Sequence, residues 1–290
     1  MGATLRAVHE GVLYERDTPR LGAVSGETTS EPRGYPEAIV GRAEPIGVRR
    51  IACDSPGVDY LWRVRWDLPE PYEQHIVPQP RLHLAAEDGR LLVHGVTRRP
   101  FVRRLLGRGH VLGASFLPGG FHGYQRGPVG GLSDTVRPAG EVLGVDDRPY
   151  AARILTPDSP DDAMVEVMTE YLAEVGYEPD PRAAAVGELV AEAGRDRSLV
   201  RADALAARGG VGLRTLQREF AVYVGIGPKW VLQRFRLLDA AAAARSGEDV
   251  DWAALAVELG FTDQAHLVRR FTEVVGTPPA TYAREVGGRP

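Results

Sequence analysis

The residues around position 64 alternate between apolar and polar side chains, a pattern typical of a half-buried antiparallel strand. Every second residue from Tyr60 to Leu68 is apolar, and Arg63, Arg65 and Asp67 occupy the opposite face. Shorter strands are predicted at 81–86, 90–96, 101–106 and 110–117. Turn signals at 87–89 and 107–109 separate them. Several short strands at this spacing predict a barrel or a sandwich.

A helical period replaces this alternation near residue 159. Ser159 is a candidate N-cap with Pro160 in the first turn, and Gly176 can end the helix. Four apolar residues share one face of it, namely Val165, Met168, Leu172 and Val175. This face either packs on the sheet of the same chain or serves as a dimerisation surface. Residues 177–181 are the expected interdomain linker, and Asp180-Pro181 within it is a candidate cap for the next helix. Residues 15–34 have the composition of a loop.

Seven helices are predicted from residue 180 onward, and four of them form two helix-turn-helix units. The first unit pairs 202–208 with 213–222 across Gly209-Gly210, and the second pairs 252–259 with 263–275 across Gly260. Apolar residues spaced to face the core are Leu213, Leu216 and Phe220 in the second helix of the first unit and Leu267 and Phe271 in that of the second. The side chains that remain outward are Arg214, Gln217 and Arg218 in the first unit and His266, Arg269 and Arg270 in the second.

One long helix joins the two units, from Pro228 through an alanine-rich stretch to Ser246-Gly247. About 18 residues span roughly 27 Å at a rise of ~1.5 Å per residue. Successive major grooves on one face of DNA lie ~34 Å apart, so the two outward-facing helices can enter adjacent grooves.

The C-terminal hundred residues resemble the AraC/XylS family of transcription regulators. The resemblance rests on the segments 212–220, 225–228, 256–263 and 276–279, together with Arg236, Ala240, Arg270, Phe271 and Tyr282. It implies a domain at 180–290 that binds double-stranded DNA through two recognition helices, 213–222 and 263–275. The residues implied in DNA contact are Arg214, Thr215, Gln217, Arg218, Gln264, Ala265, His266, Arg269 and Arg270. Arginine can bind guanine bidentately, and Gln217 can pair with adenine.

Three features qualify that expectation. Arg236 and Arg270 are also candidates for internal ion pairs. Gly212 occupies the place of the usual Ser N-cap, which costs a few tenths of a kcal/mol of helix stability. Ala265 and Val268 leave the second recognition helix short of hydrogen-bonding side chains, so phosphate contact is expected to dominate there.

The N-terminal half resembles an uncharacterised β-domain that precedes AraC-type helices in some regulators. The residues that carry this resemblance are the run 107–121, Trp62, Trp66, Pro78 and the segment 11–13. In better-known members a cupin-like barrel in this position binds a small effector and often dimerises. The candidate effector-binding residues are Trp62, Trp66 and Phe116, although core packing is the simplest explanation of the two tryptophans. The Pro118-Gly119-Gly120 segment is either a tight turn or a loop at a pocket mouth.

The predicted fold therefore has two domains, an antiparallel β barrel or sandwich at 1–158 and an all-α double helix-turn-helix at 180–290, with a helix and linker at 159–179. The expected partners are DNA, a small effector, a second copy of the chain and RNA polymerase. Neither a metal nor another cofactor is expected, because His75, His83 and His94 are spread over separate strands and Cys53 has no supporting motif. The alternative is a cupin-like binding protein or enzyme with a non-functional helical half.

Composition adds a constraint on DNA binding and on location. Residues 180–290 carry 15 basic and 14 acidic side chains, so nonspecific attraction to phosphates is weak and tight binding is expected to need dimerisation. The single cysteine, the absence of an apolar run long enough to span a bilayer and the absence of a signal peptide predict a cytoplasmic protein without membrane contact.

Overall fold

The computed structural model describes residues 39–40, 46–76, 78–245 and 250–287. Its N-terminal half is one antiparallel sheet, as predicted. The strands are β1 (Ile39–Val40), β2 (Ile46–Ile51), β3 (Val58–Ile76), β4 (His83–Glu87), β5 (Arg90–His94), β6 (Phe101–Phe116) and β7 (Val136–Pro138). Their order is β1-β3-β6-β4-β5-β7, with β2 also paired to β3. The predicted residues 11–13 and 15–34 lie outside the described residues.

The longest ladder in the sheet joins β3 to β6 and corrects the predicted strand boundaries. Residues 107–109 do not turn the chain, and β6 runs through them as one strand. Leu68 pairs with Gly107 and Tyr72 with Leu105, so three residues of β3 bulge opposite one residue of β6. Gly107 takes a φ of +63° beside this bulge. A glycine inside a strand therefore marks a bulge here and not a reversal.

The described part of the N-terminal half also contains a 3-10 helix (Val129–Leu132) and the α-helices α1 (His122–Gln125), α2 (Ala139–Leu143), α3 (Arg148–Ile154) and α4 (Asp161–Val175). The apolar face of α4 is buried in the same core as the sheet, which favours packing within the chain over the dimerisation alternative. Helix α4 begins after Pro160, and Ser159 does not cap it. In the first turn of α4 the Asp161 carboxylate accepts hydrogen bonds from Arg63 and Arg65, which project from β3. Gly176 ends the helix as predicted.

The part of the chain described after residue 180 contains the seven predicted helices. They are α5 (Pro181–Arg195), α6 (Ala202–Arg208), α7 (Leu213–Tyr223), α8 (Pro228–Arg245), α9 (Trp252–Glu258), α10 (Gln264–Val275) and α11 (Pro279–Gly287). The two helix-turn-helix units repeat the same turn at a spacing of 50 residues. Val211 donates its backbone N–H to Ala206, and Phe261 donates to Ala256 in the same way. The predicted end of α8 at 246–247 lies outside the described residues.

The helices after residue 180 belong to two separate hydrophobic cores. The buried residues of α5 to α7 and the start of α8 belong to the same hydrophobic core as the sheet. The second unit has a separate core that includes Leu259, Leu267, Phe271 and Tyr282. The first helix-turn-helix unit is therefore built onto the N-terminal half, and the second is joined to it through α8.

The predicted linker is a packed segment. Asp180 caps α5 and Pro181 occupies its first turn, as the sequence predicts. Glu178 donates its backbone N–H to Gly123, and the Tyr177 ring packs edge to face on Tyr124 at 5.0 Å. Residues on both sides of the predicted linker are thus held in one body.

The Pro118-Gly119-Gly120 segment is a tight turn against α5. Gly119 has a φ of +83°, and a Cβ on it would overlap the Ala183 carbonyl of α5. A Cβ on Gly187 would likewise overlap the Pro118 carbonyl. Glycine on both sides lets the two backbones touch. No helix in the described ranges is long and apolar enough to cross a membrane.

Candidate nucleic-acid interface and ligand cavity

Helix α7 presents three of the predicted DNA-contacting side chains to solvent. Arg214, Gln217 and Arg218 are exposed, and Thr215 is half-buried. Within the described part of the chain neither arginine has an acidic partner at ion-pair distance. Both guanidinium groups thus keep their donors available for an external acceptor.

The opposite face of α7 is held rigidly. Leu216 and Phe220 are fully buried in the shared core, whereas Leu213, which was also predicted to face the core, is 41% exposed at the first residue of α7. The buried Glu219 carboxylate accepts a 2.8 Å hydrogen bond from Arg182 Nε of α5. Gly212 gives the helix no side-chain cap, as its residue type predicts. The exposed face of α7 is consequently fixed relative to α5 and to the sheet domain.

Helix α10 offers fewer free polar groups than α7. Asp263 caps it by accepting the His266 backbone N–H at 2.7 Å, and His266 Nδ1 accepts the Thr262 N–H at 3.4 Å. Arg270 donates to Glu273 at 2.8 Å and to Gln233 of α8 at 3.2 Å. Two of the predicted DNA contacts, His266 and Arg270, therefore have partners within the chain.

The exposed residues among the candidates on α10 are Gln264, Ala265 and Arg269. Val268, one turn after Ala265, is half-buried. The apolar side chains on this surface are Ala265 and Val268.

Helix α8 separates the two units and carries buried charges. Arg236 forms an ion pair with Asp239 at 2.7 Å and donates to the carbonyls of Ala193 and Asp196, which is the internal role foreseen for it. Arg234 lies over the Trp230 ring at 4.7 Å. Burial, reinforced by the charge of Arg270, lowers the pKa of Arg234 to about 10.

A second candidate site lies in the sheet domain. A cavity of about 360 Å³ opens on the face of the sheet that carries Trp62 and Trp66. Its apolar wall includes Val64, Phe101 and Leu105 besides the two indoles.

The polar side of the cavity is a cluster of mutually paired groups. The Glu87 carboxylate is 7% exposed and forms an ion pair with Arg103. Its Oε1 atom also lies 2.5 Å from His94 Nε2. Burial lowers the pKa of His94 to about 4, so the imidazole is neutral at pH 7 and donates this hydrogen bond.

The three predicted effector residues do not lie together. Trp62 and Trp66 line the cavity. Phe116 is fully buried elsewhere, edge to face with Phe121 at 4.9 Å and with Tyr124 at 5.6 Å, because strand β6 carries it into the main core.

The three histidines that were expected to lie on separate strands differ in their surroundings. His83 and His94 both line the cavity, whereas the side chain of His75 is not among those described. The described residues contain no group of three or more His, Cys, Asp or Glu side chains placed to hold a metal ion. Cys53 is a half-buried thiol packed beside the main core.

The cavity also contains residues that the sequence analysis did not single out. Glu87, His94 and Arg103 belong to three different strands, and only the register brings them together. Two glycines, Gly109 and Gly113, lie directly opposite Trp66 and Trp62. The two tryptophans are four residues apart in sequence, and so are the two glycines. This matched spacing is the one feature of the sequence that could have indicated the pairing.

Family comparisons agree with the division into a sheet half and a helical half. Residues 205–285 match the model of a helix-turn-helix domain, and residues 55–138 match a domain of unknown function, DUF6597. The C-terminal part of the chain is a helix-turn-helix domain of the AraC type. Within this AraC-type domain the matched residues include both α7 and α10. No curated protein matches the chain.

Among solved structures the chain is similar to ToxT from Vibrio cholerae. A 1.65 Å structure of ToxT is 10% identical, with 84% of this chain and 98% of that chain covered and a TM-score of 0.37. ToxT bound to (E)-4-(8-methylnaphthalen-1-yl)but-3-enoic acid is 10% identical, with coverages of 83% and 98% and a TM-score of 0.34.

Proposed function

We propose that this protein is a sequence-specific DNA-binding transcription regulator. Residues 180–290 form its DNA-binding part, residues 1–158 its sensory part, and residues 159–179 join the two. The observation that carries the proposal is the surface of α7, where Arg214, Gln217 and Arg218 extend from a helix anchored on its other face. This surface lies within a helix-turn-helix domain, whose second helix enters the major groove.

The two recognition helices have different roles in this proposal. Helix α7 reads bases, because its arginines and Gln217 are free to reach the groove edges. Helix α10 supplies fewer hydrogen bonds, since His266 and Arg270 have partners within the chain. Helix α8 has 18 residues and spans roughly 27 Å, which allows the helices to enter adjacent grooves.

Selection of bound duplexes from a random library by the full-length protein tests this function. We expect a consensus with two parts about one helical turn apart. On the selected site, Arg218→Ala should reduce discrimination at one guanine by about 1–3 kcal/mol. Arg153→Ala, which removes an exposed arginine of α3, is the matched control and should bind like the wild type. Recovery of no consensus, or equal affinity for selected and scrambled DNA at the same salt, would exclude the proposal.

We further propose that a small molecule in the sheet cavity modulates DNA binding, and that the regulator acts as a homodimer and contacts RNA polymerase. The near-neutral charge of residues 180–290 supports the dimer, because two copies double the number of phosphate contacts. Light scattering of the free protein and of its DNA complex measures this assembly.

The cavity alone would equally suit a ligand-binding protein without a DNA role. That second function is favoured if the full chain binds a ligand in the cavity but selects no DNA sequence.

A further inference from the structure

The cavity in the sheet domain has a floor built from two repeated cross-strand pairs. Trp62 of β3 lies opposite Gly113 of β6, and Trp66 lies opposite Gly109. A Cβ on Gly109 would lie 2.5, 2.8 and 3.2 Å from Cζ2, Cε2 and Cη2 of Trp66. A Cβ on Gly113 would meet Cζ2, Cε2 and Nε1 of Trp62, with Nε1 at 2.9 Å. Contact with several adjacent ring atoms at once means that each indole lies with its face on the glycine backbone.

This arrangement leaves two flat aromatic rings exposed to the cavity. Both indoles also line the cavity, and the Trp62 ring packs edge to face with His83 at 6.2 Å. The parts of the two ring faces that cover neither glycine nor His83 are available to a bound molecule. Offset stacking on such a face favours a planar aromatic partner. A nonplanar aliphatic molecule of the same size makes less contact with a flat ring.

Apart from the exposed Asp88 and Arg104, which also line the cavity, its charged side chains are paired within the protein. Glu87 is bound by Arg103 and His94, and Arg81 forms an ion pair with Asp59 at 2.5 Å. A charged ligand placed among these groups would lose its hydration without gaining an unpaired counter-charge, which is unfavourable.

The indole N–H groups of the two tryptophans differ. Trp66 Nε1 donates to the Leu106 carbonyl at 3.3 Å. Trp62 Nε1 is buried and has no hydrogen-bond partner in the described structure. A buried donor without a partner is costly, and a ligand that brings an acceptor to it removes that cost.

From these observations we propose that the cavity binds an uncharged, planar aromatic or heteroaromatic molecule that stacks on the Trp62 and Trp66 rings and accepts a hydrogen bond from Trp62 Nε1. This inference rests on the proposed effector role of the sheet domain and names the chemical class of the effector.

Three related probes distinguish the proposed ligand class from its alternatives. Coumarin is flat and uncharged and has a carbonyl acceptor, coumarin-3-carboxylate adds a negative charge, and octahydrocoumarin keeps the lactone without the flat ring. Binding to the full chain is measured by ligand-observed NMR titration. For 11 heavy atoms at ~0.3–0.5 kcal/mol each, the expected dissociation constant of coumarin is about 0.1–4 mM. Both analogues should bind at least fivefold more weakly.

Two conservative variants test the geometry. Trp62→Phe keeps an aromatic face and removes the free donor, so coumarin should bind about 2–12-fold more weakly. Trp66→Phe is the matched control, because the donor it removes already has a partner in the protein, and affinity should change by less than twofold. Aromatic rings over strand glycines also stabilise sheets, so circular dichroism must first show that both variants are folded.

The proposal is overturned if octahydrocoumarin or the carboxylate binds as well as coumarin, if none of the probes binds, or if the two variants behave alike. DNA binding is measured on the same protein without any probe. Failure of the ligand class is thereby distinguished from failure of the DNA-binding function.

Discussion

Gly187 of α5 lies directly against the Pro118 carbonyl, and a side chain at position 187 would overlap that oxygen. This contact joins the sheet domain to α5, the helix that precedes the first helix-turn-helix unit, backbone to backbone. Alanine inside a helix normally stabilises it by up to ~1 kcal/mol relative to glycine.

We predict that Gly187→Ala destabilises the protein by about 1–3 kcal/mol despite its better helix propensity, because the two backbones must separate. Urea unfolding of the full chain measures the change. Gly131→Ala, at a glycine with no atom near its Cβ position, is the matched control and should be close to neutral. A neutral or stabilising Gly187→Ala would show that the contact is not tight in solution.

The separate core of the second unit predicts independent local opening. Phe220 belongs to the core shared with the sheet, and Phe271 belongs to the core of the second unit. Amide hydrogens of α10 should therefore exchange at a lower opening free energy than those of α7. Hydrogen exchange followed by mass spectrometry tests this. Phe271→Leu should accelerate exchange in α10 and leave α7 unchanged, and equal protection of the two helices would contradict a divided core.

Local patterns in the sequence predicted the elements well. The alternation from Tyr60 to Leu68, the cap at Asp180 and the turn glycines of both helix-turn-helix units are all in the structure. The two helix-turn-helix units could be recognised because the residues that form each unit are contiguous in sequence.

Features set by long-range contacts could not be read in this way. Gly107 resembles a turn residue in sequence, but it lies beside a bulge because β3 continues alongside it. The pairing of Glu87 with Arg103 depends on the register of the sheet, and the close approach of Gly187 to Pro118 depends on how the two halves pack. Phe116 looked available to a ligand because alternation alone does not say which side of a strand faces the main core.

The buried ion pair of α8 predicts that removing one partner destabilises the protein much more than removing both. Arg236 and Asp239 are both nearly inaccessible, and burial raises the pKa of Asp239. Arg236→Met should cost about 3–5 kcal/mol, because it leaves a buried carboxylate with only the half-exposed Arg197 nearby. The double variant Arg236→Met with Asp239→Leu should recover much of that loss in thermal unfolding. No recovery would mean that the hydrogen bonds to Ala193 and Asp196 dominate.

His94 predicts a pH dependence of stability. Burial lowers its pKa from the ordinary 6.5 to about 4, so between these values the unfolded chain binds more protons than the folded one. Stability is therefore complete above pH 6.5 and falls as the pH decreases toward 4. His94→Gln, which keeps a donor for Glu87, should show a smaller decrease over this range. Unfolding free energies at pH 7, 6 and 5 give the comparison, and identical slopes would contradict the assignment.

The apolar surface of α10 predicts how the second groove is recognised. Ala265 is exposed and Val268 half-exposed, and small apolar side chains in a major groove contact the methyl group of thymine. Replacing one thymine by deoxyuridine in the half-site of α10 should weaken binding about fourfold, since a buried methyl group is worth ~0.8 kcal/mol. The same replacement between the two half-sites is the control. Val268→Ala should reduce the sensitivity to the missing methyl group. If no thymine position in that half-site responds, α10 binds through phosphate contacts by Arg269 and contributes no apolar readout.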